Sequence, residues 1–166
     1  MKNPVYIWNF GDEFLVVCPK CKKCAEVISS YQNEKINARL VCAHCGNVKD
    51  WKIKSSGILY AQNKALFREG EISIGDSVDW YFHEPLWLQA RCCGNTLWAY
   101  NKKHLEWLRD FVSAKLRERI YDEEHGWSNR ALASRLPKWI SSAQNREKIL
   151  STIANLITKI HERQSQ

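Results

Sequence analysis

Cys18-Pro-Lys-Cys21 and Cys42-Ala-His-Cys45-Gly46 are two C-x-x-C steps near the N-terminus, and 20 residues separate the inner cysteines. A C-x-x-C turn places two sulfurs on one side of a tight bend, so two such turns can supply four thiolates to one tetrahedral ion. A closed four-sulfur site leaves no coordination position for water, so it would stabilise a fold rather than catalyse a reaction. We predict one structural zinc ion with four ligands: Cys18, Cys21, Cys42 and Cys45.

The seven cysteines of the chain fit a reducing compartment better than a secreted protein. The opening Met1-Lys-Asn-Pro is polar and broken by proline, without the apolar stretch of a signal peptide. No stretch approaches the roughly 18 uninterrupted apolar residues that span a membrane. We therefore expect a cytoplasmic protein with no membrane partner, in which the cysteines bind metal instead of forming disulfides. Four thiolates can also bind iron, but zinc is the default for such a site.

Cys24 offers an alternative ligand, because it extends the first pair to C-x-x-C-x-x-C. A pair formed by Cys21 and Cys24 would also lie at an allowed distance from Cys42. We favour Cys18 and Cys21, because Pro19 fixes φ where the turn begins and residues 14–18 have the pattern of a strand that delivers the first ligand. Cys24 would then be a strand residue beside the site and a possible substitute ligand.

Residues 12–54 resemble a zinc ribbon of the transcription factor IIB type, which is a rubredoxin-like β domain. The resemblance rests on the two cysteine pairs, on predicted strands at 14–17, 25–29, 39–41 and 48–53, and on Gly46, where such turns need a positive φ. It departs from the pattern at Lys22, where glycine is usual. The whole chain is similar to small bacterial zinc-ribbon-containing proteins. The resemblance implies a zinc ion but no activity, because ribbons serve many functions.

The apolar pattern predicts an α+β protein with three parts. We place a zinc ribbon at 1–56, a small β region at 57–101 and a helical C-terminal region at 102–166. The last part changes to a helical period at Asn101 and would hold about three helices. The first would end at His125-Gly126, the second would run from Ser128 to Leu136, and the third would begin near Ser142. The first and third carry apolar stripes, formed by Leu105, Leu108, Phe111, Val112, Leu116 and Ile120, and by Ile149, Ile153, Leu156, Ile157 and Ile160.

A hairpin at 86–100 is the clearest unit of the β region. Gly94-Asn95 predicts a two-residue type II′ turn, which would pair Cys92 with Leu97 and bury one apolar face. The opposite face would carry Trp87, Gln89, Arg91, Trp98 and Tyr100. It would either bind stacked bases or a protein partner, or pack beneath the helices. Cys92 and Cys93 are adjacent, so their side chains would leave opposite faces of the strand, with Cys92 in the core.

The chain holds 25 basic and 18 acidic residues, for a net charge of +7, and the excess lies at its two ends. If both basic clusters face one way, they would form a phosphate-binding surface. The alternative is that they are ordinary solvated faces. The first cluster comprises Lys20, Lys22, Lys23, Lys49, Lys52 and Lys54. The second comprises Arg130, Arg135, Lys138, Arg146 and Lys148.

Catalytic motifs are missing from the sequence, which has no G-x-S-x-G, no phosphate-cradling glycine loop and no H-E-x-x-H. We therefore expect neither an enzyme nor a small-molecule substrate. The favoured hypothesis is a zinc protein that binds DNA or RNA. The alternative is a protein-binding module, such as an immunity or antitoxin protein that neutralises a partner toxin. The predicted contact residues are Lys22, Lys23, Arg130, Arg135, Lys138, Trp87, Arg91 and Trp98.

Overall fold

The computed structural model describes residues 4–32, 35–52, 58–60, 71–114 and 131–164, and within these residues the chain forms eight strands and four α-helices. The strands are β1 Glu13–Val17, β2 Cys24–Gln32, β3 Lys35–Val41, β4 Val48–Asp50, β5 Ile58–Tyr60, β6 Ile72–Ile74, β7 Leu88–Cys92 and β8 Asn95–Ala99. The helices are α1 Lys102–Ser113, α2 Leu132–Arg135, α3 Lys138–Ser141 and α4 Arg146–Gln164. Mixed helix and strand is the fold class that the sequence predicted.

Two compact units divide these elements. The unit that we call the sheet unit comprises Gly11–Gln89 and Trp98–Asn101. The helix unit comprises Met1–Phe10, Ala90–Leu97 and Lys102–Gln166.

A four-stranded antiparallel sheet in the order β1-β2-β3-β4 forms the base of the sheet unit. All four strands correspond to strands predicted from the sequence, and β2 and β3 extend further than expected. Side chains alternate between the faces of such a sheet. One face is buried, with the side chains of Phe14, Val16, Val27 and Leu40 fully covered. On the other face Ile28 lies opposite Arg39, and Arg39 lies opposite Asp50.

Aromatic side chains cover the buried face. Trp80 meets the ring of Phe14 edge-on with centroids 5.2 Å apart, and it meets the ring of Tyr100 at 5.6 Å and 87°. Gly11 lies directly against the indole, because a Cβ built on this glycine would be 2.3 Å from two ring carbons of Trp80. Buried edge-to-face contacts of this kind hold each ring in one position.

A buried carboxylate organises the loop that carries Trp80. Asp79 accepts hydrogen bonds from the backbone N–H groups of Tyr81, Phe82 and Glu84 at 2.7–2.9 Å. Burial raises the pKa of Asp79 to about 6, although these three N–H groups lower it. The loop then returns to the sheet, where the N–H of Val17 donates to the carbonyl of Pro85 at 2.8 Å.

The β7–β8 hairpin is present, but its predicted turn and register are wrong. The turn lies at Cys93-Gly94, one residue earlier than predicted, with φ of 51° and 76°. Two consecutive positive φ values identify a type I′ turn, whose twist matches the flanking strands. The predicted apolar face is largely correct, since Leu88, Cys92, Leu97 and Ala99 are buried.

The helix unit is built on α1 and α4, which pack against each other. Their apolar stripes are buried as predicted at Leu105, Leu108, Val112, Ile149, Ile153, Leu156 and Ile160. Pro137 does not only end α2; it also precedes α3, a short helix that the sequence analysis missed. The predicted end of the first helix at His125-Gly126 and the predicted start of the second helix at Ser128 lie outside the described residues. Within the described part, no helix combines the length and apolar character needed to cross a membrane.

His104 is a buried histidine within this core, and it makes the helix unit sensitive to acid. Its ring is 2% exposed and stacks on Phe10 with centroids 4.6 Å apart. Burial lowers the pKa of His104 to about 3 from the ordinary 6.5. At pH values between these two pKa values, the unfolded chain binds a proton at His104 that the folded chain does not. The contribution of His104 to the free energy of unfolding is therefore complete above pH 6.5 and declines as pH falls.

We expect His104 to account for a loss of about 2 kcal/mol in the free energy of unfolding between pH 7 and pH 5. His104→Phe should retain the stacking and lose this part of the pH dependence. Urea unfolding of the wild type and of the variant at both pH values measures this loss. The other titrating groups are the same in the two proteins, so their effects cancel in the comparison. Identical pH slopes for the wild type and the variant would refute the assignment.

Candidate metal centre

Two loops of nearly identical conformation hold the N-terminal cysteines. In the first cysteine loop (residues 18–24), the N–H of Cys18 donates to the carbonyl of Lys23 at 2.8 Å, and the N–H of Lys22 donates to the carbonyl of Cys18 at 3.0 Å. The second cysteine loop (residues 42–48) repeats both bonds. There the N–H of Cys42 donates to the carbonyl of Asn47 at 2.8 Å, and the N–H of Gly46 donates to that of Cys42 at 2.9 Å.

The register of the sheet brings the two loops together. The first loop connects β1 to β2, the second connects β3 to β4, and Glu26 on β2 pairs with Val41 on β3 directly before the second loop. The four sulfurs of Cys18, Cys21, Cys42 and Cys45 lie within 4.8 Å of one another. All four cysteines are free thiols without a disulfide. The structure therefore shows a group of four cysteines that can hold a metal ion.

The distances between the sulfurs test whether a metal fits. The Sγ atoms of Cys18 and Cys45 are 3.8 Å apart, and those of Cys21 and Cys42 are 3.6 Å apart. In a tetrahedral zinc site with Zn–S bonds of about 2.3 Å, neighbouring sulfurs are about 3.8 Å apart. Two of the sulfur–sulfur distances thus match those of a tetrahedral zinc site, and all four sulfurs lie within 4.8 Å of one another.

Cys24, the alternative ligand, does not join this group. Its thiol is buried on β2 and lies 3.8 Å from the carbonyl oxygen of Ala25. The geometry therefore favours Cys21 over Cys24 as the second ligand from the first cysteine loop.

The neighbouring thiols shift the pKa values of Cys18 and Cys45 in opposite directions. Burial alone would raise the pKa of Cys18, but hydrogen bonds from the backbone N–H groups of Cys21 and Lys20 and from neighbouring thiols lower it to about 6. A backbone hydrogen bond from Asn47 lowers the pKa of Cys45, but burial and the other three thiols raise it to about 12. Close sulfurs cannot all ionise without a cation, whereas a divalent cation stabilises all four thiolates.

Asn47 is a polar contact that sequence analysis missed. Its side-chain Nδ2 donates to the sulfur of Cys18 at 3.8 Å, so the second cysteine loop supports a ligand of the first. The sequence signal that could have identified Asn47 is its position directly after Gly46. This position corresponds to that of Lys23, which directly follows Lys22 in the first cysteine loop.

Lys22 occupies a backbone conformation that favours glycine. Its φ is 62°, close to the 67° of Gly46 at the corresponding position of the second loop. We expect Lys22→Gly to raise the free energy of unfolding by about 1 kcal/mol, because a side chain at positive φ is strained. Urea unfolding of the metal-loaded protein measures the change.

Gly46→Ala is the matched control for this prediction. A Cβ at Gly46 would meet nothing within 4 Å, so only the backbone conformation opposes it. The control should lose about 1 kcal/mol. A Lys22→Gly protein that is less stable than the wild type would contradict the argument.

Most of the predicted basic residues are exposed where the structure describes them, whereas Arg146 is half-buried. Around the cysteine loops these are Lys20, Lys22, Lys23, Lys49 and Lys52. Arg135 and Lys138 are exposed in the helix unit, which is a different compact unit. Lys54 and Arg130 lie outside the described residues.

The predicted aromatic face is only partly open. Trp87 and Trp98 are half-buried, and Arg91 is exposed. Tyr100, which was predicted on the same face, is fully buried and contacts Trp98 with ring centroids 5.1 Å apart. Its backbone carbonyl accepts a hydrogen bond from the N–H of Leu15 at 2.8 Å, which ties the end of the hairpin to β1.

No protein-family model, no curated protein and no solved structure is significantly similar to this chain.

Proposed function

We propose that Cys18, Cys21, Cys42 and Cys45 hold one structural zinc ion in a zinc ribbon of the transcription factor IIB type. The sulfur spacing supports this proposal, since 3.6 and 3.8 Å are the separations of a tetrahedral zinc site. Zinc is favoured over other ions because four thiolates from two C-x-x-C turns are its usual structural donor set.

We further propose that the protein binds nucleic acid through the lysines around this centre. The observation that carries the proposal is the cluster of five exposed lysines on the cysteine loops and the adjoining β4 region. Four thiolates and one zinc ion carry a formal charge of about −2, which five lysines more than balance. The excess positive charge is available to phosphate groups.

A lysine of the first cysteine loop and a lysine of β4 act on the same carboxylate. The half-buried Glu84 has its pKa raised by burial, and both Lys49 and Lys22 lower it through their charge. The ammonium of Lys49 also lies 5.7 Å from the centroid of the Phe82 ring. Lys22 and Lys49 are therefore close enough to the same carboxylate to contact one backbone segment of a nucleic acid together.

The salt dependence of binding tests this proposal. Fluorescence anisotropy with a labelled oligonucleotide should show log affinity falling linearly with log salt concentration, because bound lysines release counterions. Replacing Lys22 and Lys49 together by glutamine should reduce the slope by about two units, one for each lost phosphate contact. The fold should be unaffected, since both side chains are exposed.

A charge-matched control uses α1. Replacing Lys102 and Lys103 by glutamine removes the same charge from the helix unit, and the slope should keep its wild-type value. Replacing Arg135 and Lys138 in the same way asks whether the second basic cluster also binds. Equal effects of all three double variants would mean that only net charge matters, and the proposed surface would be rejected.

The half-buried tryptophans make a separate contribution in this proposal. Arg91→Gln removes a positive charge, so it should reduce the salt slope by about one unit if Arg91 contacts a phosphate. Trp98→Phe should weaken binding to single strands without changing the salt slope, because stacking on a side chain releases no counterions. Trp87→Phe tests the other ring of the pair. Loss of duplex binding to the same extent would argue against stacking.

A protein-binding module is the second candidate, and exposed apolar residues favour it. Ile28 and Val48 are 51% and 54% exposed on the open face of the four-stranded sheet. A groove of about 500 Å³ on this face is lined by residues that include Ile28, Arg39, Asp50 and Trp51. Exposed apolar side chains beside an ion pair are typical of a protein contact.

Failure of the wild type to bind DNA or RNA at low salt would favour this second candidate. If a toxin gene lies beside the gene for this protein, co-expression of this protein with that toxin should then restore growth. Ile28→Glu should abolish that rescue, whereas Lys22→Gln should not.

A further inference from the structure

Two neighbouring cysteines in the helix unit form a second thiol pair. The Sγ atoms of Cys92 and Cys93 are 3.7 Å apart. In an extended strand, adjacent side chains point to opposite faces, and the sequence analysis expected this of these two cysteines. The expectation was wrong because Cys93 lies in the turn, where its φ of 51° ends the alternation.

The surroundings of the pair give it one buried and one accessible sulfur. Cys92 is 2% exposed, and its sulfur lies 3.5 Å from the hydroxyl oxygen of Thr152 on α4. Cys93 is half-buried at the hairpin turn. Burial and the neighbouring thiol raise the pKa of Cys93, while the charge of Lys148 opposes this. The thiol of Cys93 is therefore protonated at neutral pH.

We propose that Cys92 and Cys93 form a bidentate thiol site for trivalent arsenicals, separate from the four-cysteine centre. The ligand class is an organic arsenoxide, with one As=O group that two thiols replace. Two As–S bonds form, the As=O bond breaks, and the oxygen leaves as water with the two thiol protons. Arsenic remains trivalent, so the reaction needs no oxidant or reductant.

The spacing and the accessibility of the two sulfurs favour binding of one arsenic atom by both sulfurs. A soft atom with bonds to sulfur of about 2.3 Å can bridge sulfurs up to roughly 3.8 Å apart without a large movement. The accessible Cys93 bonds first. The second bond to Cys92 is then intramolecular, so its effective concentration is very high and release requires both bonds to break.

Mass spectrometry of the zinc-loaded full-length protein with phenylarsine oxide tests the site. The wild type should gain the mass of one phenylarsine oxide less one water. It should keep this adduct through a wash with a monothiol such as glutathione. Ethanedithiol, which is itself bidentate, should remove it. Cys93→Ser and Cys92→Ser should each release the arsenical about 100-fold faster under the monothiol, because each leaves a single bond.

Two controls separate this site from the metal centre. Cys24→Ser removes a different buried thiol and should retain the arsenical like the wild type. Zinc content, measured in the same samples, should stay constant in all variants. Because Cys92 is buried, Cys93→Ser decides the question if Cys92→Ser does not fold. Retention by Cys93→Ser equal to that of the wild type, no adduct on the wild type, or adduct formation that requires zinc loss would each overturn the proposal.

Discussion

Removal of the proposed zinc ion is expected to unfold the four-stranded sheet. The folding free energy that structural zinc contributes is about 10–16 kcal/mol in small zinc domains, which equals or exceeds the whole stability of a typical domain. Two loops of the β1–β4 sheet converge on the four cysteines, whose thiolates would repel one another without the ion. We expect Cys42→Ser to abolish metal binding and to abolish the protection of the β2 and β3 amides from hydrogen exchange.

Elemental analysis of freshly prepared, reduced protein measures the first part of this prediction, with about one zinc per chain expected. Cys45→Ser should behave like Cys42→Ser. Cys24→Ser is the matched control, because it alters a buried cysteine of the same loop that does not join the group of four, and its metal content should be unchanged. Protein without metal, or equal loss in Cys24→Ser and Cys18→Ser, would disprove the ligand set.

Gly11→Ala is expected to destabilise the sheet unit by about 3 kcal/mol. The added Cβ would lie 2.3 Å from two carbons of the Trp80 ring, which is far inside van der Waals contact. The ring cannot simply retreat, because it is 6% exposed and packed edge-on against Phe14 and Tyr100. Overpacking of a dense core typically costs about 1–3 kcal/mol, and a rigid aromatic neighbour places this site at the upper end.

A double-mutant cycle isolates the cause. In a Trp80→Leu background, the smaller side chain leaves room for the methyl group, so Gly11→Ala should cost less than about 1 kcal/mol. Urea unfolding of the four metal-loaded proteins gives the coupling. Additive effects would show that the cost arises from the backbone of residue 11 and not from the indole.

The metal centre and the sheet could be predicted from sequence because local signals determine them. Two C-x-x-C turns at the right spacing suffice to bring four sulfurs together, and alternating apolar residues identify β1 and β2. The helical stripes of α1 and α4 are equally direct, since a period of 3.6 residues survives any tertiary arrangement.

The remaining features depend on contacts between residues far apart in the chain. Gly11 and Trp80 are separated by more than sixty positions, so no local pattern reveals that one must be small because the other is large. The turn at Cys93-Gly94 was misplaced because Gly94-Asn95 has the stronger local turn preference. The structure instead puts a cysteine at positive φ, at the cost of some strain. Local propensity and tertiary packing disagree there, and packing prevails.

The four sulfurs of the metal centre differ in burial, so they differ in how easily a competing ligand reaches them. Cys18 and Cys42 are fully buried, whereas Cys45 is exposed at the tip of the second loop. In the proposed zinc-bound state, a competing ligand or an oxidant would reach Cys45 first, so we expect this sulfur to control how fast the ion leaves. The equilibrium affinity would depend on all four sulfurs. The rate of metal release and the affinity for the metal would therefore be set by different parts of the same centre.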